Sequence, residues 1–471
     1  MNRTKTLDLT QGAIFKVLLA FVLPILAGSL IQQLYTVVDA VVVGRFAGQA
    51  GLAAIDSVYT LFKFPLNFMS GLAAGATIVV SKCFGAGDEK NLSGAIRAAL
   101  VIAAVLGAVF SAAGAFAAPV LADVMQVPAD IRPQTLLYVR IYFGGLWTLA
   151  LYNMLAGILR AFGNSKSPFY ILIICGVVNI AGDLLLVGVF RTGVAGAAAA
   201  TVAAQFISVV LAMRSLTKTY PGGAIARPFR DGSPADGSPA GTSPSGETFP
   251  RGSFRLRKDI GHMLAIGFPL GLQGILFPVA NSIIHAQINK MGTEVIAAWA
   301  VCGKLDLLIW LVADAMSPAL STFVSQNLGA GKSGRVVRGS LTGAGFSVAV
   351  VALISLCLFL FPGPLGGLFV TAEDHAVLAP MIIHFMRMMA PFYLFYALAE
   401  AFSGACCGTG DTVRPMIVTL LCTCGLRVAS ILLILPHFGT MDCIVWIYIA
   451  SWIVTGLAFS GMFAYKARRL P

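Results

Sequence analysis

The chain has 471 residues, of which 58% are hydrophobic and 11% are charged, and its mean hydropathy is +0.86. A soluble protein of this length could not hide that much apolar surface from water, so the composition excludes an ordinary globular protein and indicates a membrane protein. The net charge of +12 does not indicate a nucleic-acid partner, because the basic residues lie between apolar segments, where they contact anionic lipid headgroups.

Apolar segments follow one another along the whole chain. About twelve of them approach or exceed the roughly 20 residues that a helix needs to cross the hydrocarbon of a bilayer. Because they are long and lack period-two alternation, they predict helices and not barrel strands. Numbered in order, the segments lie near residues 15–43, 51–80, 95–120, 134–159, 168–190, 193–214, 260–288, 296–324, 338–361, 379–404, 414–436 and 443–465.

Segment 1 carries a polar stripe. Gln32, Tyr35, Thr36 and Asp39 follow the i, i+3/i+4 spacing that places side chains on one helix face. An ionisable group inside a span costs about 2.5–3.5 kcal/mol at the helix centre, so it usually faces an interior cavity and marks a functional site. Asp39 is therefore a candidate ion-coupling residue, and the other three are candidate residues of a substrate cleft.

Segments 4 and 5 add three polar residues in the same half of the chain. Asn153 lies deep in segment 4, whereas Asn179 and Asp183 are spaced i, i+4 on one face of segment 5. If these helices meet segment 1, Asp39 and Asp183 could share a proton or hold a cation such as Na⁺, with Asn179 beside them. The alternative is a structural hydrogen-bond network that ties the helices together. No other metal site is expected.

A polar stretch rich in Gly, Pro and Ser separates segments 6 and 7. It covers residues 220–254 and predicts a disordered cytoplasmic linker, with simple tethering favoured over a regulatory role. The linker divides the chain into an N-terminal lobe of six helices at residues 1–219 and a C-terminal lobe of six helices at residues 255–471.

Segment 8 carries two acids and a tryptophan. Asp306, Trp310 and Asp314 are spaced i, i+4, i+8, which places them in one stripe of the helix. A tryptophan face beside carboxylates suits an organic cation, so Asp306 and Trp310 are candidate cleft residues. Alternatively, Lys304 could neutralise Asp306.

The loop after segment 8 reads NLGAGKSGR, from Asn327 to Arg335, and its Gly-Lys-Ser resembles the end of a nucleotide-binding P-loop. A P-loop needs a glycine where this chain has Gln326, and it follows a buried strand, whereas this loop follows a long apolar run. ATP is therefore not an expected ligand.

The same loop is one half of an internal repeat. SQNLGAGKSGR at Ser325–Arg335 resembles SKCFGAGDEKN at Ser81–Asn91, Pro269 of segment 7 falls opposite Pro24 of segment 1, and CGTGDTVRP repeats RAFGNSKSP. Two copies of six helices each have parallel orientation in the membrane, an arrangement typical of transporters that work by alternating access.

Segments 10 and 11 carry the remaining ionisable groups of interest. Glu400 falls opposite Asn153 in the repeat and is a candidate residue of the cleft. Arg427 occupies a place close to that of Asn179 and Asp183. It could simply neutralise Glu400.

Basic residues also predict the orientation. One side of a twelve-helix arrangement carries few of them, mainly Arg45, Arg132, Arg191 and Lys290. The other side carries Arg3, Lys5, Lys16, Lys82, Lys90, Arg97, Arg160, Lys166, Lys332, Arg335, Arg338, Arg414, Lys466, Arg468 and Arg469. By the positive-inside rule, both termini are cytoplasmic. We expect a multi-pass protein of the plasma (inner) membrane.

Several motifs in order resemble the multidrug and toxic compound extrusion (MATE) family. They are LPILAGSLIQQLYTVVDAVVVGRFAG, SKCFGAGD with its repeat SQNLGAGK, GILRAFGNSKSP and VVNIAGDLLLV. The resemblance covers nearly all of the chain outside the linker. It implies a V-shaped bundle of two six-helix lobes and secondary active export of cationic or amphipathic compounds, driven by entry of H⁺ or Na⁺. No cofactor beyond this coupling ion is expected, and we expect a monomer.

The resemblance also implies residue roles. The family's first-lobe coupling site matches Asp39, Asn179 and Asp183, its helix 4 asparagine matches Asn153, and the proline at which the first helix bends in some members matches Pro24. One branch of the family places a second cation site on acids of helices 7 and 10. This chain departs from that pattern, because segment 7 has no acid at the expected depth.

Two other functions compete with this interpretation. A flippase of lipid-linked oligosaccharides from the same superfamily is the closest alternative, but it should have more intramembrane Arg and Lys for a pyrophosphate. A membrane-embedded enzyme would need convergent catalytic groups, and the chain has no HExxH or GxSxG motif and no paired His/Asp metal site. We therefore expect a transporter that is not an enzyme.

Overall fold

The computed structural model describes residues 7–46, 48–221 and 256–470. The linker predicted at 220–254 lies outside the described residues except for Tyr220 and Pro221. The described part is helical and contains no strand, and twelve of its segments are long and apolar enough to cross a membrane. The all-α membrane fold predicted from the apolar segments is confirmed.

Six spanning segments precede the linker. They are α1 Ile14–Phe46, α2 Gly48–Gly85, α3 Glu89–Val124, α4 Arg132–Ala161, α5 Lys166–Asp183, which continues as a π-helix over Leu184–Val189, and α6 Val194–Thr219.

Six more spanning segments follow the linker, and two of them are interrupted. They begin with α7 Leu256–Ile288, α8 Thr293–Gly329, α9 Ser333–Leu360 and the short α10 Pro362–Gly366. The tenth span comprises α11 Ala372–Met389 and α12 Tyr393–Gly408, with a 3₁₀ turn at Ala390–Phe392. The eleventh comprises α13 Val413–Val418, a π-helix at Thr419–Gly425 and α14 Leu426–Leu433, before α15 Leu435–Phe438 and α16 Met441–Ala467.

The chain divides into two compact units. Unit 1 contains the described residues within Met1–Gln11, Leu19–Ile275 and Ser325–Gly331, and unit 2 contains those within Gly12–Leu18, Leu276–Val324 and Lys332–Pro471. Because α1, α7 and α8 each contribute to both units, the units do not follow the chain halves helix by helix. The lobe boundaries at 219 and 255 remain a prediction from sequence.

Glycines allow the closest helix packing inside unit 1. A side chain on Gly71 or Gly75 of α2 would collide with the backbone of Gly271 or Gly267 of α7. Lipid offers no hydrophobic drive for helices to associate, so small residues that let backbones approach supply the packing energy instead.

The two copies of the GAG loop have the same backbone conformation. Gly87 and Gly331 adopt φ of 67° and 70°, a left-handed conformation that glycine accepts without a steric cost. The helix α8 comes immediately before the second copy, whereas a P-loop follows a strand. The loop that resembles a P-loop is therefore a repeated turn between helices.

The helix ends beside these loops also pack reciprocally, inside unit 1. A side chain on Gly85 of α2 would collide with the backbone of Gln326, and one on Gly329 of α8 would collide with the backbone of Lys82. Each glycine thus contacts the residue that precedes the other glycine by three positions, so the two copies of the repeat contribute equivalent surfaces to one crossing.

Candidate functional site

The polar residues of unit 1 lie where a helix changes its winding. The α-helix α5 ends at Asp183, and the chain continues as a π-helix from Leu184. Short π-helical stretches are rare and occur frequently at functional sites. The widened turn thus begins directly after Asp183, the only acidic residue of this helix.

Two carboxyl groups meet beside this π-helix. Asp183 is completely buried, Asp39 of α1 is half-buried, and their side chains lie within hydrogen-bonding reach of each other. Neither oxygen of Asp183, nor Oδ1 of Asp39, has a hydrogen-bond donor among the described residues. Two carboxylates are acceptors only, so a favourable contact between them requires a proton or a cation shared by the pair.

Asn179 lies one helical turn before Asp183 and is also buried, with 4% of its surface exposed. Its Nδ2 atom donates a hydrogen bond to Oγ1 of Thr201 at 3.3 Å, and that hydroxyl donates to the carbonyl oxygen of Ala197 at 3.0 Å. The helix α6 therefore orients the amide of Asn179, which stands on the same face of α5 as Asp183.

The other stripe residues of α1 are more exposed. Gln32 and Thr36 are exposed, and the Thr36 hydroxyl donates to the Gln32 carbonyl oxygen at 2.9 Å. Tyr35 is half-buried and packs near Gly176 of α5, whose Cβ, if present, would lie 3.8 Å from that of Tyr35. These three residues therefore share a helix face with Asp39 but do not donate to the three oxygens of the carboxyl pair that lack a donor in the part of the chain that the structure describes.

Neither Pro24 nor Asn153 makes a hydrogen bond to the carboxyl pair. Pro24 is within the uninterrupted helix α1, about four turns before Asp39. Asn153 is half-buried on α4, and no described hydrogen bond joins it to Asp39 or Asp183. The structure thus brings together Asp39 and Asp183, with Asn179 one turn away.

Unit 2 contains a second polar cluster, which is rich in aromatic rings. The hydroxyl of Tyr393 donates a hydrogen bond to Oδ1 of the buried Asp306. Trp310 packs edge-on against Tyr396, with ring centroids 4.4 Å apart, and against Tyr393 at 6.2 Å. The stripe predicted on segment 8 therefore faces the tyrosines of α12.

Each of the other acids in this cluster also has a hydroxyl partner. Tyr396 donates to Oδ1 of Asp314 at 3.3 Å, and Ser317 hydrogen-bonds to Glu400. The ammonium group of Lys304 lies 5.5 Å from the ring centroid of Phe369. It does not form the ion pair with Asp306 that its position in the sequence suggested.

Arg427 lies buried in unit 2 without the predicted ion pair to Glu400. Its Nε atom donates to Oγ of Ser451 at 2.8 Å, and Nη1 donates to Oδ1 of Asn281 at 3.2 Å. Its guanidinium lies 4.3 Å from the ring centroid of Tyr448. Hydroxyl, amide and aromatic groups thus surround this charge.

The sequence patterns missed the aromatic partners of these charges. Tyr393 and Tyr396 precede Glu400 by two turns and one turn of α12, so helical spacing alone could have placed all three on one face. Tyr448 and Trp452 are spaced i, i+4 on α16 in the same way. No pattern within one helix could show which acid each tyrosine contacts.

Known proteins resemble the chain along its whole length. The sequence model of the MatE family matches residues 24–185 and 269–433. The probable multidrug resistance protein YoeA of Bacillus subtilis (strain 168) is 23% identical over 98% of this chain and 96% of its own length. A FAD transporter of Shewanella oneidensis is 24% identical over 77% of this chain and 76% of its own.

A solved structure shows the same fold. The crystal structure of MATE in the bent conformation superposes with a TM-score of 0.87 at 18% sequence identity, and the match covers 100% of this chain and 99% of the other. Two chains of such low identity share a backbone arrangement without having to share ligands.

Proposed function

This chain belongs to the MatE family of multidrug efflux transporters, and from that premise we propose that it is a secondary active antiporter. It exports cationic or amphipathic organic compounds from the cytoplasm and admits H⁺ or Na⁺ in exchange, by alternating access. The coupling ion binds in unit 1, at Asp39 and Asp183, and no other cofactor takes part.

One observation carries this proposal. Asp39 and Asp183 meet inside the spanning region, and three of their four oxygens have no donor among the described residues. Burying an unsatisfied carboxyl pair costs free energy, so such a pair inside a membrane span usually marks a functional site. Oxygen ligands suit H⁺ and hard cations such as Na⁺.

The roles of the residues follow from this chemistry. Binding of H⁺ or Na⁺ neutralises the repulsion between Asp39 and Asp183 and allows α1 and α5 to approach. The amide oxygen of Asn179 supplies a further ligand, and Asn153 supports the site from α4. Pro24 has no N–H group to donate within α1, so the helix bends there when the pair changes its charge.

The proposal also includes the orientation of the protein and the membrane in which it acts. The excess of Lys and Arg on one side of the spans supports cytoplasmic termini. A multi-pass exporter with this orientation acts in the plasma (inner) membrane, and each monomer contains a complete pair of units. The family is one of transporters, and no catalytic step is proposed.

Organic cations are the proposed main substrates. Asp306, Trp310 and Glu400 offer negative charge and aromatic faces in unit 2, and Gln32, Tyr35 and Thr36 offer a polar helix face in unit 1. These six residues are the candidate substrate-binding side chains, three in each unit. YoeA is named a probable multidrug resistance protein, which supports an exporter over a lipid-linked oligosaccharide flippase. The relative named a FAD transporter extends the substrate range to anionic compounds.

Transport into proteoliposomes tests the coupling. The purified protein is reconstituted, and uptake or release of the fluorescent cation rhodamine 6G is followed while a pH gradient and a Na⁺ gradient are imposed separately. We expect one gradient to drive transport. Asp39→Asn should abolish gradient-driven transport, because it removes one of the two charges that bind the ion.

A matched variant controls for loss of an aspartate as such. Asp123 lies at the end of α3, where it pairs with Arg132 at 2.6 Å near the surface. Asp123→Asn should therefore retain transport. If Asp39→Asn, inserted at normal levels, still exchanged rhodamine 6G for an ion at the wild-type rate, the proposed role of Asp39 would be wrong.

A further inference from the structure

Arg427 has more N–H groups than it has hydrogen bonds to the described residues. Only 3% of the residue is exposed, and a guanidinium carries five N–H groups. One of them binds Ser451 and another binds Asn281. About three N–H groups therefore remain without an acceptor among the described residues.

No carboxylate compensates the charge of Arg427 within the described part of the chain. The ion pairs found there join other residues. The guanidinium instead lies near the rings of Tyr448, at 4.3 Å from the centroid, and Phe277, at 5.9 Å. Aromatic faces attract a cation but do not replace an anion, and a buried unpaired charge is costly.

Trp452 supplies a second, independent observation at the same place. It is 3% exposed, and its Nε1 donor has no hydrogen-bond partner among the described residues. Its ring lies 6.0 Å from that of Tyr448, which also contacts Arg427. Trp452 and the Arg427 partner Ser451 are neighbours in α16. Two donor-only side chains therefore lie around one tyrosine ring.

From these unmatched donors we propose that Arg427 and Trp452 form a subsite for the oxyanion, a carboxylate or a phosphate, of an aromatic substrate. The planar fork of arginine binds two oxygens of such a group at once. Tyr448 and Phe277 provide ring surfaces for the aromatic part. The inference rests on the proposed function, because it names a class of compounds that the exporter carries.

The acids of unit 2 set the direction of such a substrate. Tyr396 donates a hydrogen bond to Asp314 at 3.3 Å, and its ring centroid lies 6.4 Å from that of Trp452, so one aromatic cluster joins the acids to the Arg427 side. A negative group is therefore stabilised at Arg427, and a positive group at the acids. Unit 2 can thus bind cations and anions at different ends of one aromatic cluster.

Direct binding to the purified protein tests the subsite without any ion gradient. Fluorescein serves as the anionic aromatic probe and rhodamine 6G as a cation with the same tricyclic core, and fluorescence anisotropy gives both dissociation constants in nanodiscs. Arg427→Gln should weaken fluorescein binding about ten-fold or more, because a charge-assisted hydrogen bond is lost. Rhodamine 6G binding should change by less than about two-fold.

Three further variants separate the subsite from general damage. Arg427→Lys keeps the charge but loses the fork, so fluorescein binding should be intermediate. Trp452→Phe keeps a ring and removes only the donor, and should weaken fluorescein binding by about five-fold. Arg338→Gln, at an exposed position in the first turns of α9, should have no effect.

The outcomes distinguish this inference from the proposed function. If wild-type protein does not bind fluorescein, or if Arg427→Gln and Trp452→Phe bind it as tightly as wild type, the subsite does not exist. Gradient-driven transport of rhodamine 6G would then still support the exporter. Conversely, fluorescein binding that depends on Arg427, without gradient-driven transport of either dye, would support the subsite and overturn the antiport.

Discussion

Each half of the repeat contains a π-helical stretch in its fifth spanning segment, but the two stretches lie at different places and have opposite charges beside them. In the first half, Asp183 directly precedes the π-helix Leu184–Val189, and in the second half Arg427 closely follows the π-helix Thr419–Gly425. In the register that aligns Pro168 with Pro415, the first π-helix would fall at residues 431–436 of the second half, after the observed one. The two halves therefore share a spanning segment but differ in where its winding changes and in the charge that stands there.

The acids of the two units also differ in their partners. In unit 1, Asp39 and Asp183 face each other, and most of their oxygens have no donor among the described residues. In unit 2, Asp306 and Asp314 each accept a hydrogen bond from a tyrosine. A satisfied carboxylate has less to gain from an ion than an unsatisfied pair. This difference favours unit 1 as the site of ion coupling.

The largest expected effect comes from the buried member of the unit 1 pair. Asp183→Asn leaves a neutral amide opposite Asp39 and removes the charge pair that binds the ion. We expect rhodamine 6G transport driven by a pH or Na⁺ gradient to fall to the rate of empty liposomes. Gradient-driven fluorescence changes in proteoliposomes measure this directly.

A double variant checks whether the two aspartates act as one unit. Because residues of one site are strongly non-additive, Asp39→Asn combined with Asp183→Asn should be no worse than either alone. Each variant should also retain a normal thermal unfolding midpoint, since removing one carboxylate relieves repulsion. If transport by Asp183→Asn still depended on the ion gradient, unit 1 would not be the site of ion coupling.

Regular patterns within single helices predicted much of this arrangement. The apolar lengths predicted twelve spans, and the spacing of Asn179 and Asp183 predicted their shared face. The likeness between two loops predicted the repeat, whose glycines Gly87 and Gly331 adopt nearly equal φ. These features depend on residues close together in the sequence, so local sequence patterns predict them.

Pairing between distant helices was harder to predict. Arg427 was considered a partner of Glu400 because both are charged, whereas it donates to Ser451 and Asn281. The tyrosine that donates to Asp306 comes from another span. Such choices depend on helix rotation and depth, which hydropathy along one segment does not determine. The residue composition around the two π-helices, after α5 and after α13, likewise does not predict them.

The second prediction concerns the hydrogen bond between Tyr393 and Asp306 in unit 2. Tyr393→Phe removes the hydroxyl that donates to Asp306 and leaves a buried carboxyl without that donor. Loss of one partner of a buried polar pair costs about 1–3 kcal/mol. The midpoint of thermal unfolding in detergent should fall, while transport by the surviving folded protein continues.

A matched tyrosine on the same helix controls this result. Tyr396→Phe removes the hydrogen bond to Asp314, whose side chain is exposed, whereas Asp306 is buried. A less buried acceptor loses less when its donor is removed, so the unfolding midpoint should change less than for Tyr393→Phe. Equal destabilisation by both variants would contradict the view that burial makes the Asp306 pair important.

A smaller effect is expected when the side chain of Asn179 loses its hydrogen-bond acceptor. Thr201→Val keeps the shape of the side chain and removes the hydroxyl that accepts from the Asn179 amide at 3.3 Å. The loss of one such bond corresponds to about 0.5–1.5 kcal/mol. We expect the ion concentration for half-maximal transport to rise a few-fold while the maximal rate remains. Thr217→Val, at an exposed site on α6, should leave both unchanged.

The smallest effect on coupling should follow Glu400→Gln, and this prediction tests the comparison most directly. Glu400 hydrogen-bonds to Ser317 and lies in electrostatic reach of Asp314, so the glutamine can keep the bond while it loses the charge. If unit 2 serves substrate binding and unit 1 serves the ion, the Michaelis constant for rhodamine 6G should rise a few-fold. The ion dependence of transport should not change. Loss of gradient-driven transport with unaltered rhodamine 6G binding would instead place ion coupling in unit 2, because only an ion site would respond in that way.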